Sequence, residues 1–302
     1  MSGASAGKRP VSWQPLILEP VPAVGRFLVF DLDVGSDPRG ALVRLREEPC
    51  LDRAVIGVGK PLVLAVGAKI PGLRPFPAIS GPGIAFPSTQ GALWAFVAAS
   101  EQGELHDHAR ALCASLGESF RLREEVPVFQ YRGGRDLSGY EDGTENPKGE
   151  AAVAAAFVSG RGPGLDGGSF VAVQRYVHAL DRFANLTTDA RDHTMGRNLA
   201  SNEEIAGAPT SAHVKRAAQE TFDPPAFMLR RSMPWGGVSE HGLYFVAYGE
   251  SLDRYERVLT RMAGLEDGTV DGLMSFTRAV SGGYYWCPPV RDGRIDWSAL
   301  AL

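Results

Sequence analysis

Short apolar runs alternate along the chain with segments whose apolar residues recur at helical spacing, and this order occurs twice. Each half opens with an apolar run that predicts a strand, at residues 27–30 in the first half and 170–173 in the second. Later in each half a second apolar run, at residues 93–98 and 243–248, leads directly into a helical pattern. The repeated order predicts a duplicated unit of strands and helices.

Capping residues mark where several of these helices begin and end. Asp37 followed by Pro38 is typical of a helix start after the first strand. A further helix is predicted over about residues 103–116, after the second apolar run. In the second half, Ser251 is the predicted N-cap and Gly264 the stop. Apolar residues between them share one helical face: Leu252, Tyr255, Val258, Leu259 and Met262.

A unit of strand, helix, two strands, helix and strand is typical of the ferredoxin-like fold. We therefore predict an α+β protein of two tandem ferredoxin-like domains, with antiparallel sheets and helices packed on one face. Residues 150–168 change from an alanine run to a stretch rich in glycine and proline, which predicts a connecting loop. The predicted domains are therefore residues 1–150 and 151–302. We expect a ligand pocket where the two domains meet.

Composition and charge narrow the classes of function. The chain has 302 residues, of which 44% are hydrophobic, so it can bury a large core. Its net charge of -4 and isoelectric point of about 5.9 provide no broad basic surface for nucleic acid. No apolar run approaches the length of about 18 residues that spans a bilayer, so we expect no membrane partner. Lys8 and Arg9 are not followed by the apolar stretch of a signal peptide, which favours a cytoplasmic protein.

The three cysteines, Cys50, Cys113 and Cys287, are widely separated and odd in number. This spacing predicts neither a zinc or iron–sulfur site nor a disulfide framework. We expect them to be small apolar residues of the core. A thiolate metal ligand from Cys287 is the alternative to a histidine ligand.

The most distinctive motif is residues 138–147, Ser-Gly-Tyr-Glu-Asp-Gly-Thr-Glu-Asn-Pro, which places Asp142 in a glycine-rich loop. Gly139 and Gly143 allow the backbone to turn tightly and to approach a ligand closely. A carboxylate in such a loop can point into a pocket. The same string taken alone is also typical of a solvated turn, so it decides nothing without its surroundings.

Four further blocks surround this motif with a pattern that resembles the dye-decolorizing peroxidases, in particular their bacterial cytoplasmic branch. The blocks are 211–216, 229–236, 241–248 and 281–286, and they occur in the family's order. The resemblance covers roughly residues 15–290. It implies one haem b per chain, bound in the C-terminal half in a pocket that the Asp142 loop closes.

The resemblance implies a proximal iron ligand at His213, within the family's Ser-x-His-Val-x-Arg string. It also implies that Asp271 accepts a hydrogen bond from the second imidazole nitrogen, which makes the ligand more basic. Asp271 is equally well placed to cap a helix over residues 273–276. The other histidines are expected to be core, loop or exposed residues: His106, His108, His178, His193 and His241.

On the opposite face of the haem, the resemblance implies that Asp142 moves the peroxide proton and that Arg230 stabilises negative charge on the departing oxygen. Ser232 is expected to share the haem side of the strand with Arg230 and to hold a water there. Arg231 should then point away and act as an ion-pair partner, because adjacent strand residues face opposite sides.

Arg197 lies in a loop, residues 195–202, that resembles the family's propionate-binding loop. The resemblance implies that Arg197 binds a haem propionate. Asn198 and Leu199 stand where the family usually has threonine and lysine, which leaves a second basic contact open.

The function implied is a haem b peroxidase. Hydrogen peroxide would oxidise the ferric haem by two electrons, and organic donors such as dyes or phenols would return them singly. The alternative is a haem-handling protein that binds or delivers haem, or releases its iron, with incidental peroxidase activity.

We expect a homo-oligomer, and no encapsulin shell as partner because no long tail follows the last motif. Bulky donors would need surface aromatics; strand residues of this type are more often core: Trp235, Tyr244, Tyr248, Tyr284, Tyr285 and Trp286.

Overall fold

The computed structural model describes residues 13–47 and 52–302. Its strands are β1 (Val24–Leu32), β2 (Ala54–Gly59), β3 (Ile79–Gly81), β4 (Ile84–Phe86), β5 (Leu93–Ala99), β6 (Phe120–Phe129), β7 (Ser169–His178), β8 (Leu229–Arg230), β9 (Met233–Gly236), β10 (His241–Gly249), β11 (Thr277–Ala279), β12 (Gly283–Cys287), β13 (Val290–Arg291) and β14 (Arg294–Ile295). Its α-helices are α1 (Arg39–Glu47), α2 (Lys60–Ala65), α3 (Gln102–Leu116), α4 (Glu150–Ala156), α5 (Leu180–Ala184), α6 (Thr188–Met195), α7 (His213–Arg216) and α8 (Leu252–Met262). Among these helices, none combines the length and apolar character needed to cross a bilayer.

The main sheet contains the ferredoxin-like strand order twice. In the first half the order is β6-β1-β5-β2, and in the second half it is β12-β7-β10-β9. If the four strands of each half are numbered along the chain, both orders read 4-1-3-2. Every one of these pairings is antiparallel. The predicted fold class is therefore confirmed.

The two half-sheets are joined at both edges, which the sequence did not predict. Strand β12 pairs with β2, and β6 pairs with β9 through Val128 and Trp235. Since the fourth strand of each half meets the second strand of the other, the eight strands close into a barrel. Both halves therefore share one interior, and the domain boundary at residue 150 stays a prediction.

Aromatic side chains fill the interior of the barrel. The rings of Phe27 and Tyr244 stack at 4.0 Å, and those of Trp94 and Tyr285 lie 6.2 Å apart. Residues that alternate with them, such as Leu28, face outward and pack against the helices. The aromatics considered for surface electron transfer are all buried, at 7% exposure or less: Trp235, Tyr244, Tyr248, Tyr284, Tyr285 and Trp286.

Local signals explain most element boundaries. Ser251 precedes α8, and Gly264 follows it with a φ of +74°, a conformation that glycine adopts readily. The segment 150–168 differs from the expected loop in its first part. Its alanine run forms α4, which buries Ala152, Ala155 and Ala156, because alanine favours helix strongly. The glycine-rich remainder forms the connecting loop as expected.

Candidate active site

A cavity of about 460 Å³ lies outside the barrel, on the outer face of β7 and β10. Helices α7 and α8 form one side, and the loop that carries Asp142 forms another. Four polar residues predicted from the sequence line it: Asp142, Arg197, His213 and Arg230. Much of the remaining wall is apolar: Leu243, Phe245, Val258, Leu259 and Met262. The size and lining are typical of a pocket for a small organic ligand.

His213 begins α7 and is oriented by a fully buried carboxylate. Its Nδ1 lies 2.8 Å from Oδ2 of Asp271. An ionised carboxylate only accepts hydrogen bonds, so Nδ1 donates and the lone pair of Nε2 is left for a metal. Burial alone would lower the pKa of His213, but the Asp271 carboxylate outweighs it and the net direction is upward.

Asp271 makes a second contact that fixes its own position. Its Oδ1 accepts a hydrogen bond of 2.8 Å from the backbone N–H of Leu273 and caps a short 3₁₀ turn at Gly272–Ser275. The two roles expected for Asp271 thus use different oxygens of one carboxylate. The side chain has no freedom to turn away from His213 without losing the cap.

Arg216 contributes to the site although the sequence assigned it no role. It is buried and donates two hydrogen bonds to Asp267, at 2.8 and 2.9 Å. These hydrogen bonds lower the pKa of Asp267 to about 2. Because Asp267 lies four residues before Asp271, the pair holds the segment that carries Asp271 against α7. The sequence feature that could have identified Arg216 is its position at the end of the Ser-x-His-Val-x-Arg string.

Asp142 and Arg230 face the cavity without protein partners. Within residues 13–47 and 52–302, no hydrogen bond or ion pair involves the carboxylate of Asp142 or the guanidinium of Arg230. Both are close enough to His213 to affect its pKa, the arginine lowering it and the aspartate raising it. A free acid and a free cation on one cavity can move a proton and stabilise negative charge.

Several side-chain contacts hold the loop that carries Asp142 to the second half of the chain, and two of them involve buried residues. Tyr140 donates a hydrogen bond to Asp192, and burial together with this carboxylate raises the pKa of Tyr140. Asp136 lies 3.0 Å from Nε2 of His178. Burial alone would raise the pKa of Asp136, but His178 outweighs it and the pKa is lowered. These contacts close the loop over the cavity.

Comparison with known proteins gives the family. The model of the Dyp-type peroxidase C-terminal domain matches residues 133–292, which is more than half of the chain. The chain belongs to the Dyp-type peroxidase family. It is therefore a peroxidase, as the resemblance in the sequence implied.

Similar proteins span nearly the whole chain. The dye-decolorizing peroxidase of Rhodococcus erythropolis is 30% identical over 295 residues, which covers 91% of this chain and 86% of the relative. That of Mycolicibacterium paratuberculosis is 29% identical and covers 93% and 84%. The structure of an arginine-to-leucine variant of DypB from Rhodococcus jostii RHA1, in complex with heme, is 29% identical with a TM-score of 0.84. It covers 90% of this chain and 94% of that chain.

In this Dyp-type peroxidase, Arg197 lines the cavity but is already paired. Its guanidinium donates to Oε1 of Glu145 at 2.6 Å and to the carbonyl of Asn202 at 2.9 Å, and Glu204 lies 3.7 Å away. A carboxylate that enters the cavity would share Arg197 with these acids. A role for Arg197 in binding a propionate stays a prediction.

Ser232 and Arg231 follow Arg230 directly and have different surroundings. Ser232 is buried and is not among the residues that line the cavity, and its hydroxyl accepts a hydrogen bond of 3.4 Å from the N–H of Val246. The hydroxyl can still donate its own proton, so a role in holding a water stays a prediction. Residues 231–232 belong to neither β8 nor β9, and this hydroxyl replaces a missing backbone partner there. Arg231 points away from the cavity as expected, but it donates to the carbonyls of Leu18 and Arg230 instead of to an acid.

The structure also shows where the remaining candidate metal ligands lie. Cys287 lies inside the barrel and burial raises the pKa of its thiol far above the usual value, so it is no thiolate ligand for the cavity. Cys113 is partly buried, and Cys50 lies outside the described residues.

His178 lines the cavity, which the sequence did not predict. Nothing in its spacing could have shown this, because its partner Asp136 is far away in the chain.

Proposed function

We propose that the cavity binds one haem b per chain and that the protein uses it to reduce hydrogen peroxide and to oxidise organic donors such as dyes or phenols. The residues fit this cofactor. His213 offers Nε2 as an iron ligand, much of the wall around it is apolar, and Arg230 is a cation that forms no ion pair with any described residue. Haem, when bound, supplies the two-electron reduction of the peroxide bond and returns to its starting state in one-electron steps.

The residues around His213 fix the orientation and the tautomer of its imidazole. Asp271 accepts a hydrogen bond from Nδ1–H of His213, so the neutral imidazole carries its proton on Nδ1 and presents the lone pair of Nε2 to the cavity. The Arg216–Asp267 pair keeps that carboxylate in place. This arrangement makes the imidazole a more basic ligand than a free histidine.

The distal residues handle the proton and the charge of the substrate. The carboxylate of Asp142 would accept the proton of the peroxide oxygen that lies towards His213. It would then deliver that proton to the other oxygen, which leaves as water. Arg230 donates hydrogen bonds to the oxygen on which negative charge develops. The observation that supports this proposal is that both side chains face the cavity and neither is paired with another residue of the described ranges.

The test is to mix haem-loaded wild type, Asp142→Ala and Arg230→Leu with hydrogen peroxide and follow the Soret band by stopped flow. We expect each variant to react at least about 100-fold more slowly, the usual effect of losing a proton shuttle or a charge stabiliser. Asp181→Ala and Arg182→Leu, both on exposed positions of α5, are the matched controls. Slow reaction in all five proteins would refute a peroxidase site and favour haem handling.

A further inference from the structure

The side chain of Asn146 holds the backbone of Arg230 at two points. Its Nδ2 donates to the carbonyl oxygen of Arg230 at 2.9 Å, and its Oδ1 accepts from the N–H of Arg230, also at 2.9 Å. One amide side chain therefore satisfies both backbone polar groups of the residue that presents its guanidinium to the cavity. Asn146 itself does not line the cavity.

The position of Arg230 depends on this contact because the sheet gives it little support. Strand β8 contains only Leu229 and Arg230, and it pairs with β10 alone, through Ala247 in the case of Arg230. The next two residues belong to no strand. Asn146 occupies the free edge where a neighbouring strand would otherwise hold the backbone.

Asn146 is also part of the turn that carries Asp142. Its backbone N–H donates to the carbonyl of Gly143 at 3.0 Å. Gly143 has a φ of +76°, and a Cβ there would lie 2.8 Å from Nδ2 of Asn146, so the turn packs directly on this side chain. Asn146 therefore links the turn of the acid to the backbone of the cation.

We propose that Asn146 is a positioning residue for the peroxide reaction, which sets Arg230 at its working distance from Asp142. The proposal rests on the proposed function of these two residues. Misplacement of a catalytic group by about 1 Å can cost about 100-fold in rate. Asn146→Ala should therefore slow the reaction with peroxide by about 10- to 100-fold. Haem binding should be unchanged, because Asn146 contacts neither His213 nor Asp271.

Hydrogen exchange on the haem-free protein tests the structural half of the proposal without any activity. In Asn146→Ala the amide of Arg230 loses its acceptor, so exchange in the peptide around residue 230 should accelerate. Asn146→Asp retains an acceptor for that N–H and loses only the donor to the carbonyl, so protection should largely remain. Asn185→Ala, on an exposed position, is the matched control. Unchanged exchange in Asn146→Ala would overturn the proposal.

A double-mutant cycle with Arg230→Leu tests the functional half. If Asn146 acts through Arg230, then Asn146→Ala should slow the peroxide reaction in wild type but add nothing in the Arg230→Leu background. A merely structural role would slow the reaction by the same factor in both backgrounds and would overturn the proposal. Asn146→Asp serves the same comparison if the alanine variant does not fold.

The two proposals fail in different ways. If wild type reacts slowly with peroxide, the proposed function of the site is wrong. If wild type reacts fast and Asn146→Ala reacts equally fast, only the role of Asn146 is wrong.

Discussion

Replacing Asp271 with asparagine tests how the proximal side of the cavity works. The carboxylate accepts two hydrogen bonds, from Nδ1 of His213 and from the N–H of Leu273, both at 2.8 Å. An asparagine has one acceptor oxygen and one donor nitrogen, so it can satisfy only one of these two donors. Either the cap on Leu273 is lost, or an N–H group faces Nδ1 and moves the imidazole proton to Nε2, where it blocks metal binding.

The size of the effect follows from this unpaired donor. A buried donor without a partner costs about 1–3 kcal/mol. Loss of the carboxylate behind a metal-binding histidine typically costs about 10- to 100-fold in metal affinity. We therefore expect Asp271→Asn to bind haem about 10- to 100-fold more weakly than wild type. Asp271→Asn should also lower the pKa of His213, because Asp271 is what outweighs the effect of burial.

The assay is titration of haem into the haem-free protein, followed at the Soret band, between pH 5 and pH 9. A protonated Nε2 cannot bind iron, so affinity in wild type should fall as the pH drops below the raised pKa of His213. In Asp271→Asn that fall should occur at lower pH, on top of the weaker binding at high pH. Asp181→Asn is the exposed control. Affinity within about twofold of wild type at pH 8 would refute the reasoning.

Two further predictions concern the charged pairs around the cavity. Asp267→Asn should lower the melting temperature at pH 7, and the variant should converge with wild type in thermal melts as the pH falls from about 4 to about 2. The reason is that a carboxyl whose folded pKa is lowered to about 2 stabilises the fold only above that range. Arg197→Ala should weaken haem binding by about tenfold in the same titration, since a charge-assisted hydrogen bond is worth about 1.5 kcal/mol or more. Equal affinity would mean that Glu145 and Glu204 occupy Arg197 fully.

Much of the fold was predictable because its signals are local. Apolar runs located the first and third strands of each half, caps located several helices, and the repeated order indicated a duplication with the ferredoxin-like pattern that the sheet shows. Closure of the barrel was not predictable. Closure depends on backbone pairing between β12 and β2 and between β6 and β9. Backbone hydrogen bonds between strands require no particular side chains, so the sequence does not show which strands pair.

The candidate site was predictable only where a motif contains the residue. Asp142, His213 and Arg230 all lie in recognisable strings, and the structure brings them to one cavity. His178 lies in no such string, and its place depends on a contact with Asp136. For Ser232, strand alternation predicts the side that the residue faces but not the hydrogen bond that its hydroxyl accepts from the N–H of Val246, and its role with a distal water stays a prediction.

Two matching connections of unequal length distinguish the half that holds this cavity from the other half. In the first half, residues 33–53 join the first strand to the second, and α1 and α3 cover the outer face of the sheet with apolar side chains. In the second half, the matching connection from β7 to β9 is residues 179–232, more than twice as long, and it carries Arg197 and His213. The longer connection does not close directly on the sheet. It holds these two residues away from β7 and β10, and the space between is the cavity.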